Sequence, residues 1–553
     1  MQYFPSHPLA AQLDALSTWR WRLLLCLLFA MAVGVLSWGI WEPTGLTGKD
    51  EYLLGLRTPM EMMEKDVWLV PFLDEMPRVR KPPLLYWLGR ASFEMFGPSL
   101  FSARIVTVFF AALLVLTATL TAVEISRDRW LGILTGVLLL GMFGLATEAR
   151  RFMLDVPVAT ASAFSFFAFL RWWRSARPVW LAVCAAALAA GFLFKGPIVA
   201  LVCGGGILAL WGSGRLSLAA LGKKWGGLFL AALLFAALAL PWFYYVQNLY
   251  PEVMAEAYEK EMEARQLWNL SPKALFSLLL LALPWSFAAL VYGWTQRHDK
   301  ANMRFAVLWL LATLLPFFFI LTFERYLIGS LLPLAMICAL GMRQGIQLPG
   351  WARHLGGGLS LLFALLLTAF AFWFERGGWP WALPVIAYFV WAWWMQRGNE
   401  LRIAGAMLLW LVIVGVVFPR FGVNDLPRDL PLALQGRHVI LFDGPQPAML
   451  PILAQRAFYQ TSRLREADLA SPAGPASVVL VRAEDELPLR QQASALGFAL
   501  TSAGSYRTLS SMGSGIRFAR QGAGKEDWKR ALATRDLGPL QSRVLIFEAV
   551  RGQ

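Results

Sequence analysis

Long hydrophobic stretches separated by short polar segments dominate the chain from Trp21 to Phe418. Each stretch has about 17–22 residues, enough for a helix to cross a bilayer core of roughly 30 Å. The pattern predicts an α-helical polytopic membrane protein with thirteen membrane-spanning helices. The predicted spans are 21–41, 102–123, 130–147, 156–173, 178–193, 197–213, 226–246, 274–294, 305–322, 326–342, 356–374, 379–395 and 402–418.

The composition agrees with this class. Of the 553 residues 58% are hydrophobic, more than a soluble protein of this length tolerates. The net charge of +15 comes mostly from basic residues in short loops, which the positive-inside rule explains, so we expect no nucleic-acid binding. The four cysteines lie far apart in apolar spans and there are only four histidines, so the pattern indicates neither a disulfide framework nor a His/Cys metal site.

The distribution of basic residues predicts how the chain is oriented. If the N-terminus is cytoplasmic, the loops that carry most Arg and Lys residues all face the cytoplasm. Loops 42–101 and 247–273 and the tail after Phe418 then face the periplasm of a Gram-negative cell. Arg20 and Arg22 before the first apolar run also fit a signal peptide, but that run continues to Trp41, which favours a retained first helix.

The tail, residues 419–553, has the pattern of a separate α/β domain. Short apolar runs at 438–442, 477–481 and 543–547 predict buried strands, and segments 448–459 and 488–496 are predicted helices. A domain of about 130 residues can bury its own core. The tail contains no Gly-rich phosphate loop and no recognisable nucleophile motif, so we expect the chemistry elsewhere.

The 42–101 loop combines charges with apolar residues at helical spacing, among them Leu53, Leu56, Met60 and Met63. This spacing predicts amphipathic helices lying on the bilayer surface. They would hold the acidic pair Asp50-Glu51 and the cation Lys81 near lipid headgroups.

Other charges fall in short loops on the same predicted side. They are Arg150, Arg151, Asp155, Lys195, Glu324 and Arg325. Carboxylates and cations at one level of a helical bundle suit the transfer of a sugar from a lipid-linked phosphate. Such a reaction needs a base or orienting carboxylate for the acceptor, and cations that stabilise the departing phosphate.

Ordered motifs across the membrane region resemble a known family. They are Asp50-Glu51, Lys81-Pro82 with Tyr86-Trp87, Leu154-Asp155-Val156-Pro157, Phe194-Lys195-Gly196-Pro197, Leu240-Pro241-Trp242 and Arg325-Tyr326. The set resembles the bacterial GT-C glycosyltransferases related to protein O-mannosyltransferases, and is most similar to the lipid A aminoarabinose transferases. That resemblance implies inverting transfer from an undecaprenyl-phosphate-linked sugar in the periplasm. It also implies lipid A modification and polymyxin resistance.

The resemblance also implies roles for individual residues. Asp50 would be the catalytic carboxylate, Asp155 an orienting group or metal ligand, and Lys81 the contact to the donor phosphate. Further substrate- or phosphate-binding residues would be Glu51, Tyr52, Tyr86, Lys195, Arg265, Arg325 and Tyr326. Asp50, Glu51 and Asp155 carry oxygens suited to a divalent cation, although their spacing requires none and no other cofactor is indicated.

The chain departs from the family pattern around Lys81 and again before the eighth predicted span. Where the family usually has Tyr-x-Glu-Lys-Pro, this chain has Arg78-Val79-Arg80-Lys81-Pro82, with a base in place of the acid. The segment before the eighth span reads Glu259-Lys260-Glu261-Met262-Glu263-Ala264-Arg265 where a His-x-x-Arg pattern is usual.

Several alternatives stay open at this stage. The acidic pair also fits a helix cap. Lys81 also fits a lysine whose side chain reaches toward ordinary lipid phosphates. Arg325-Tyr326 also fits an anchor at the membrane interface. The leading function is transfer of a sugar, with 4-amino-4-deoxy-L-arabinose as the candidate, to lipid A phosphate. The alternatives are the same chemistry on a protein or glycan hydroxyl, a transporter or flippase of lipid-linked sugars, and a scaffold subunit.

Overall fold

The computed structural model describes residues 8–43, 51, 55–73, 76–265, 268, 270–296, 301–395, 398–427, 429–442, 450–454, 458–470, 476–509, 519–520 and 522–551. Helices make up nearly all of this chain up to Phe421. Within the described ranges, eight helical segments are long and apolar enough to cross a membrane, or nine if one bent pair is counted. The predicted class, a helical membrane protein, is confirmed.

The helices of the first half are α1 (Pro8–Asp14), α2 (Thr18–Ser37), α3 (Thr58–Glu64), α4 (Leu84–Phe96), α5 (Leu100–Ser126), α6 (Arg129–Leu140), α7 (Phe143–Glu148), α8 (Asp155–Ser175), α9 (Pro178–Lys195), α10 (Ala200–Gly212), α11 (Leu218–Gly222), α12 (Trp225–Leu249) and α13 (Pro251–Arg265). Those of the second half are α14 (Lys273–Leu281), α15 (Ser286–Gln296), α16 (Ala301–Leu314), α17 (Leu331–Arg343), α18 (Gly350–Trp373), α19 (Trp379–Val390) and α20 (Asn399–Val412). A 3₁₀ turn spans Glu324–Ser330.

Two predicted spans are each divided into two helices. The predicted 274–294 span consists of α14 and α15, whose axes differ by 107°. Pro284 lies between them, and a proline interrupts a helix because it has no N–H group to donate. The predicted 130–147 span is likewise divided into α6 and α7, at Gly141 and Met142. The sequence analysis was wrong to treat each as one continuous helix.

The segment after α2 also differs from the prediction. A two-stranded ribbon, β1 (Phe72–Leu73) with β2 (Met76–Pro77), follows α3. The residues from Thr58 to Met62 in α3 are all buried. Leu56 and Met60 pack in one cluster with Phe93 of α4 and with Ile452 of the C-terminal part. This helix is therefore covered by protein and not laid on a lipid surface as expected.

A five-stranded mixed sheet follows the helical bundle. Its strands are β3 (Val439–Phe442), β4 (Tyr459–Thr461), β5 (Val478–Arg482), β6 (Phe498–Thr508) and β7 (Ser542–Arg551), in the order β4-β3-β5-β7-β6. β3 is parallel to β4 and β5, whereas β7 is antiparallel to β5 and β6. The helices of this part are α21 (Leu430–Ala433), α22 (Leu450–Ala454), α23 (Glu466–Leu469), α24 (Glu486–Ala495) and α25 (Lys525–Thr534).

The sheet is covered on both faces, which explains its unbroken apolar runs. Ile440 and Val479 belong to the apolar cluster of one face, and Leu441 and Leu480 to that of the other. The three strands predicted at 438–442, 477–481 and 543–547 are confirmed as β3, β5 and β7. The predicted helix at 488–496 corresponds to α24. Of the helix predicted at 448–459, residues 450–454 form α22, Tyr459 begins β4 instead, and residues 448–449 and 455–457 lie outside the described ranges.

Among the described residues, the C-terminal part contacts the bundle near α3 and at the end of α18. Ile452 packs near α3, and Gln460 Oε1 lies 3.5 Å from Nη1 of Arg57, just before that helix. At the second place Ala531 of α25 joins the main apolar core. There the indole of Trp373, at the end of α18, donates to the Leu532 carbonyl at 3.0 Å.

Candidate active site

Three chain segments meet at the Asp155 carboxylate. Asp155 is the first residue of α8, with Pro157 in its first turn, and its side chain is 3% exposed. One carboxylate oxygen accepts a hydrogen bond from Nζ of Lys195, the last residue of α9. The other lies 3.3 Å from Nε of Arg325 in the 3₁₀ turn. One carboxylate therefore holds two buried cations from distant parts of the sequence.

Tyr326 completes this cluster. The Lys195 Nζ atom lies 3.7 Å from the centre of its ring, a cation–π contact. Asp155, Tyr326 and Ser330 line a small cavity of about 20 Å³ beside the ion pairs. That volume corresponds to about one water molecule. The structure thus brings together Asp155, Lys195, Arg325 and Tyr326, as the sequence predicted.

Lys81 lies within electrostatic reach of Lys195. Its Nζ atom is 2.7 Å from both carboxylate oxygens of Glu261 on α13. The neighbouring Arg80 also reaches Glu261, with Nε 3.4 Å from Oε2. The Lys81 side chain is 20% exposed, so the predicted phosphate contact is accessible to water.

Glu51 does not fit the predicted role in substrate or metal binding. Its carboxylate is fully buried and accepts two hydrogen bonds from Arg104, at 2.9 and 3.2 Å. It also accepts the backbone N–H of Phe152 at 2.7 Å. Arg104 in turn donates to the carbonyls of Ile40 and Glu42. Glu51 therefore fixes its loop to α5 and to the α7–α8 connection.

Tyr86 is also a structural residue. It is 1% exposed within α4, and its hydroxyl accepts a hydrogen bond from Arg78 Nε at 3.3 Å. The sequence analysis expected it at the substrate. The residue type does not distinguish these roles, because a buried tyrosine usually needs a hydrogen-bond partner too.

The remaining predicted residues fall on undescribed positions. Asp50 and Tyr52 lie outside the described residues, and so does the side chain of Arg265, whose backbone ends α13. Within the described part of the chain, no group of three or more His, Cys, Asp and Glu residues could hold a metal ion. Glu51 and Asp155 already bind cationic side chains. The described donor set therefore does not fit the divalent-cation site.

Glu148 is a charged residue that the sequence analysis missed. It ends α7 and is 4% exposed; Oε1 accepts from Arg151 at 2.9 Å, and Oε2 has no hydrogen-bond partner among the described residues. Burial raises the pKa of this carboxyl, and Asp155 and Glu51 add to the rise, whereas Arg151 and Arg325 oppose it. The sequence signal that could have identified Glu148 is an acidic residue between an apolar run and the pair Arg150-Arg151.

Arg150 serves as a structural anchor. Its guanidinium donates to the backbone carbonyls of Val35 at 2.8 Å, Trp38 at 2.9 Å and Ala146. It is 6% exposed. Arg150 therefore ties the end of α2 to α7.

An apolar cleft of about 690 Å³ lies between α4, α9 and α12. Its lining residues are Leu69, Trp87, Leu193, Leu238, Pro241, Trp242, Tyr244, Tyr245, Asn248 and Leu249. Leu193 is two residues before Lys195 on α9, and Trp87 follows the Lys81 segment on α4. The cleft and the cations are thus built on the same elements.

The chain is similar to known proteins in both sequence and fold. Residues 56–255 match the family model described as dolichyl-phosphate-mannose-protein mannosyltransferase. This range contains Lys81, Asp155 and Lys195. The resemblance predicted from the ordered motifs is confirmed.

Two curated relatives have closely related names. The undecaprenyl phosphate-alpha-4-amino-4-deoxy-L-arabinose arabinosyl transferase of Enterobacter sp. (strain 638) is 27% identical over 351 residues, 56% of this chain and 59% of that protein. The corresponding transferase 1 of Sodalis glossinidius (strain morsitans) is 27% identical over 401 residues, 65% of this chain and 70% of that protein. The match to the first thus spans less than two thirds of its length.

The crystal structure of ArnT from Cupriavidus metallidurans bound to undecaprenyl phosphate has a similar fold. The TM-score is 0.69 at 15% sequence identity, and the match covers 96% of this chain and 98% of that one. This chain therefore shares its fold with ArnT along nearly its whole length, and its residues 56–255 are similar in sequence to the protein mannosyltransferase family.

Proposed function

We propose that this chain is an inverting glycosyltransferase of the bacterial inner membrane. It takes a sugar, with 4-amino-4-deoxy-L-arabinose as the candidate, from undecaprenyl phosphate and transfers it to lipid A phosphate in the periplasm. The names of the two relatives support the donor. In this proposal the chain crosses the membrane thirteen times and its 419–553 domain lies in the periplasm.

The observation that carries the proposal is an apolar cleft next to the segment that carries Lys81, since Trp242 of the cleft packs in one cluster with Val79. A polyprenyl chain needs an apolar surface, and its phosphate needs positive charge. The cleft supplies the first, and Lys81, Lys195 and Arg325 supply the second. Val79, two residues before Lys81, packs in one apolar cluster with Trp242 of the cleft, so a ligand in the cleft can extend toward Lys81.

The proposed reaction exchanges one bond for another at the sugar C1. The bond from C1 to the donor phosphate oxygen breaks, an acceptor oxygen bonds C1 from the opposite face, and undecaprenyl phosphate leaves. Charge grows on the leaving phosphate in the transition state. Fixed cations in a site shielded from water stabilise such charge, and losing one typically costs about 10²–10³-fold in rate.

Asp155 positions two of these cations, Lys195 and Arg325. Its carboxylate holds the Lys195 ammonium and lies 3.3 Å from the Arg325 guanidinium. Asp50 is proposed as the carboxylate at the acceptor. A phosphate acceptor is already anionic near neutral pH, so orientation is its main task there, whereas a hydroxyl acceptor would need it as a base.

The test is transfer by the purified full chain with undecaprenyl-phosphate aminoarabinose and lipid A, followed by mass spectrometry of the acceptor. We expect one aminoarabinose mass to be added by the wild type and lost in Asp50→Asn. Asp66→Asn is the matched control, because Asp66 lies in the same loop with a 92% exposed side chain paired to Arg90. It should transfer at the wild-type rate.

Each other result has a defined meaning. Unchanged transfer by Asp50→Asn would remove that residue from the mechanism. Transfer to a protein or glycan hydroxyl, but not to lipid A, would replace the acceptor. Movement of the lipid-linked sugar across vesicles without transfer to any acceptor would favour the transporter.

A further inference from the structure

The carboxylate of Glu261 binds Lys81, the cation that is proposed above to contact the donor phosphate. Lys81 Nζ lies 2.7 Å from both of its oxygens, and Arg80 Nε lies 3.4 Å from one of them. Two neighbouring cations of one loop thus converge on a single oxyanion from another element. Carboxylates and phosphates accept hydrogen bonds from the same cationic donors at similar distances.

The exposure of this ion pair differs from that of the structural pair of Glu51 and Arg104. The side chains of Lys81 and Glu261 are 20% and 24% exposed, whereas Glu51 and Arg104 are 0% and 1% exposed. A pair in contact with water is worth little in free energy and exchanges partners readily. A buried pair resists separation, since the remaining charge would be left without a partner.

The helix that carries Glu261, α13, packs against the bundle through apolar side chains. In the first part of α13, Val253, Met254 and Ala257 pack against a cluster that includes Trp242 of the cleft. Glu261 follows Ala257 by four residues and therefore lies on the same face, one turn further along. The helix remains attached through its apolar contacts when the Glu261 carboxylate leaves Lys81.

We propose that Glu261 is an internal counter-ion that competes with the donor phosphate for Lys81 and Arg80, and so determines the affinity for the lipid-linked donor. This inference rests on the proposed function. Before the donor arrives, Glu261 neutralises the two cations. The donor is a phosphodiester with one negative charge, as the carboxylate has, and its unesterified oxygens accept from the same cations; held also by its prenyl chain, it takes over both cations and returns Glu261 to water.

The test is the binding of undecaprenyl phosphate to the full chain in detergent, measured as a Kd, together with KM and kcat for transfer. Glu261→Gln keeps the shape and removes the charge, so we expect Kd and KM to fall roughly three- to tenfold with kcat little changed. The matched control is Glu256→Gln, because Glu256 lies on the same helix and pairs with Lys260 in an exposed position. Its Kd should stay at the wild-type value.

A third variant separates failure of this inference from failure of the proposed function. Lys81→Met should weaken binding of undecaprenyl phosphate, and combining it with Glu261→Gln should abolish the gain. If Lys81→Met weakens binding but Glu261→Gln leaves Kd unchanged or raises it, the counter-ion proposal is overturned and the phosphate site stands. If Lys81→Met has no effect on binding, Lys81 does not bind the phosphate. The proposed competition between Glu261 and the phosphate is then overturned as well.

Discussion

The Lys195 ammonium lies 3.7 Å from the centre of the Tyr326 ring and donates to the Asp155 carboxylate at the same time. It is therefore held from two sides by groups that both favour its positive charge. A shielded cation over an aromatic face gains about 2 kcal/mol. This arrangement fixes the ammonium beside the small cavity that Asp155 and Tyr326 line.

The first prediction concerns the ring of Tyr326. Tyr326→Phe keeps the aromatic face, whereas Tyr326→Leu removes it at similar volume. We expect the leucine variant to transfer sugar about ten times more slowly than the phenylalanine variant, from the cation–π energy. Initial rates at saturating donor measure this. Equal rates would show that the ring does not act on Lys195.

The second prediction concerns Asp155 as a positioning residue. Asp155→Asn leaves two buried cations without their shared carboxylate, so we expect a loss of about 10²–10³-fold in kcat. Asp155→Glu should recover part of the rate. Asp128→Asn is the control, because Asp128 also starts a helix and pairs with Arg343 at 2.9 Å, but in another part of the chain. A fall in Asp128→Asn as large as in Asp155→Asn would indicate a general folding effect.

The third prediction concerns the buried pair of Glu51 and Arg104. Glu51→Gln leaves the Arg104 guanidinium buried without a counter-charge, which typically costs about 3–5 kcal/mol. Thermal unfolding in detergent should show a clear drop in Tm, partly recovered in the double variant with Arg104→Met. Glu526→Gln is the control, because its pair with Lys529 is 80% and 72% exposed. A Tm of Glu51→Gln equal to that control would contradict the structural role.

The fourth prediction follows from the raised pKa of Glu148. The folded protein holds the proton to higher pH than the unfolded chain, so this group contributes stability below its ordinary pKa of 4.5. That stability is lost as the pH rises through the folded pKa. Glu148→Gln imitates the protonated acid and should be more stable than the wild type at high pH, with the two Tm values converging in acid. If the Tm values of Glu148→Gln and the wild type differ by the same amount at every pH, the raised pKa of Glu148 is contradicted.

The fifth prediction concerns the cleft. Tyr244 lines it with 73% of its surface exposed, so Tyr244→Ala should disturb the fold little while removing contact with a prenyl chain. We expect KM for the undecaprenyl donor to rise about three- to tenfold, and less for a donor with a short prenyl chain. Trp225→Ala, on the same helix and 70% exposed away from the cleft, should not change KM. A chain-length-independent effect would argue against a prenyl site.

The membrane class, the buried strands of the tail and the charges of the candidate site were predictable from the sequence. Hydrophobic length and periodicity report the environment of a segment directly. Charges such as Asp155 and Lys195 are conspicuous because they are costly near a bilayer. Their order along the chain sufficed for the family resemblance.

Only the tertiary structure decided which charge pairs with which. Glu51 and Asp155 look alike in sequence, yet one binds Arg104 in a structural contact and the other holds Lys195 and Arg325 in the candidate site. The same holds for Glu261, which reaches Lys81 across a long stretch of chain. A local pattern shows that a charge is present, but its partner depends on how distant segments pack, and partner and burial together determine what the charge does.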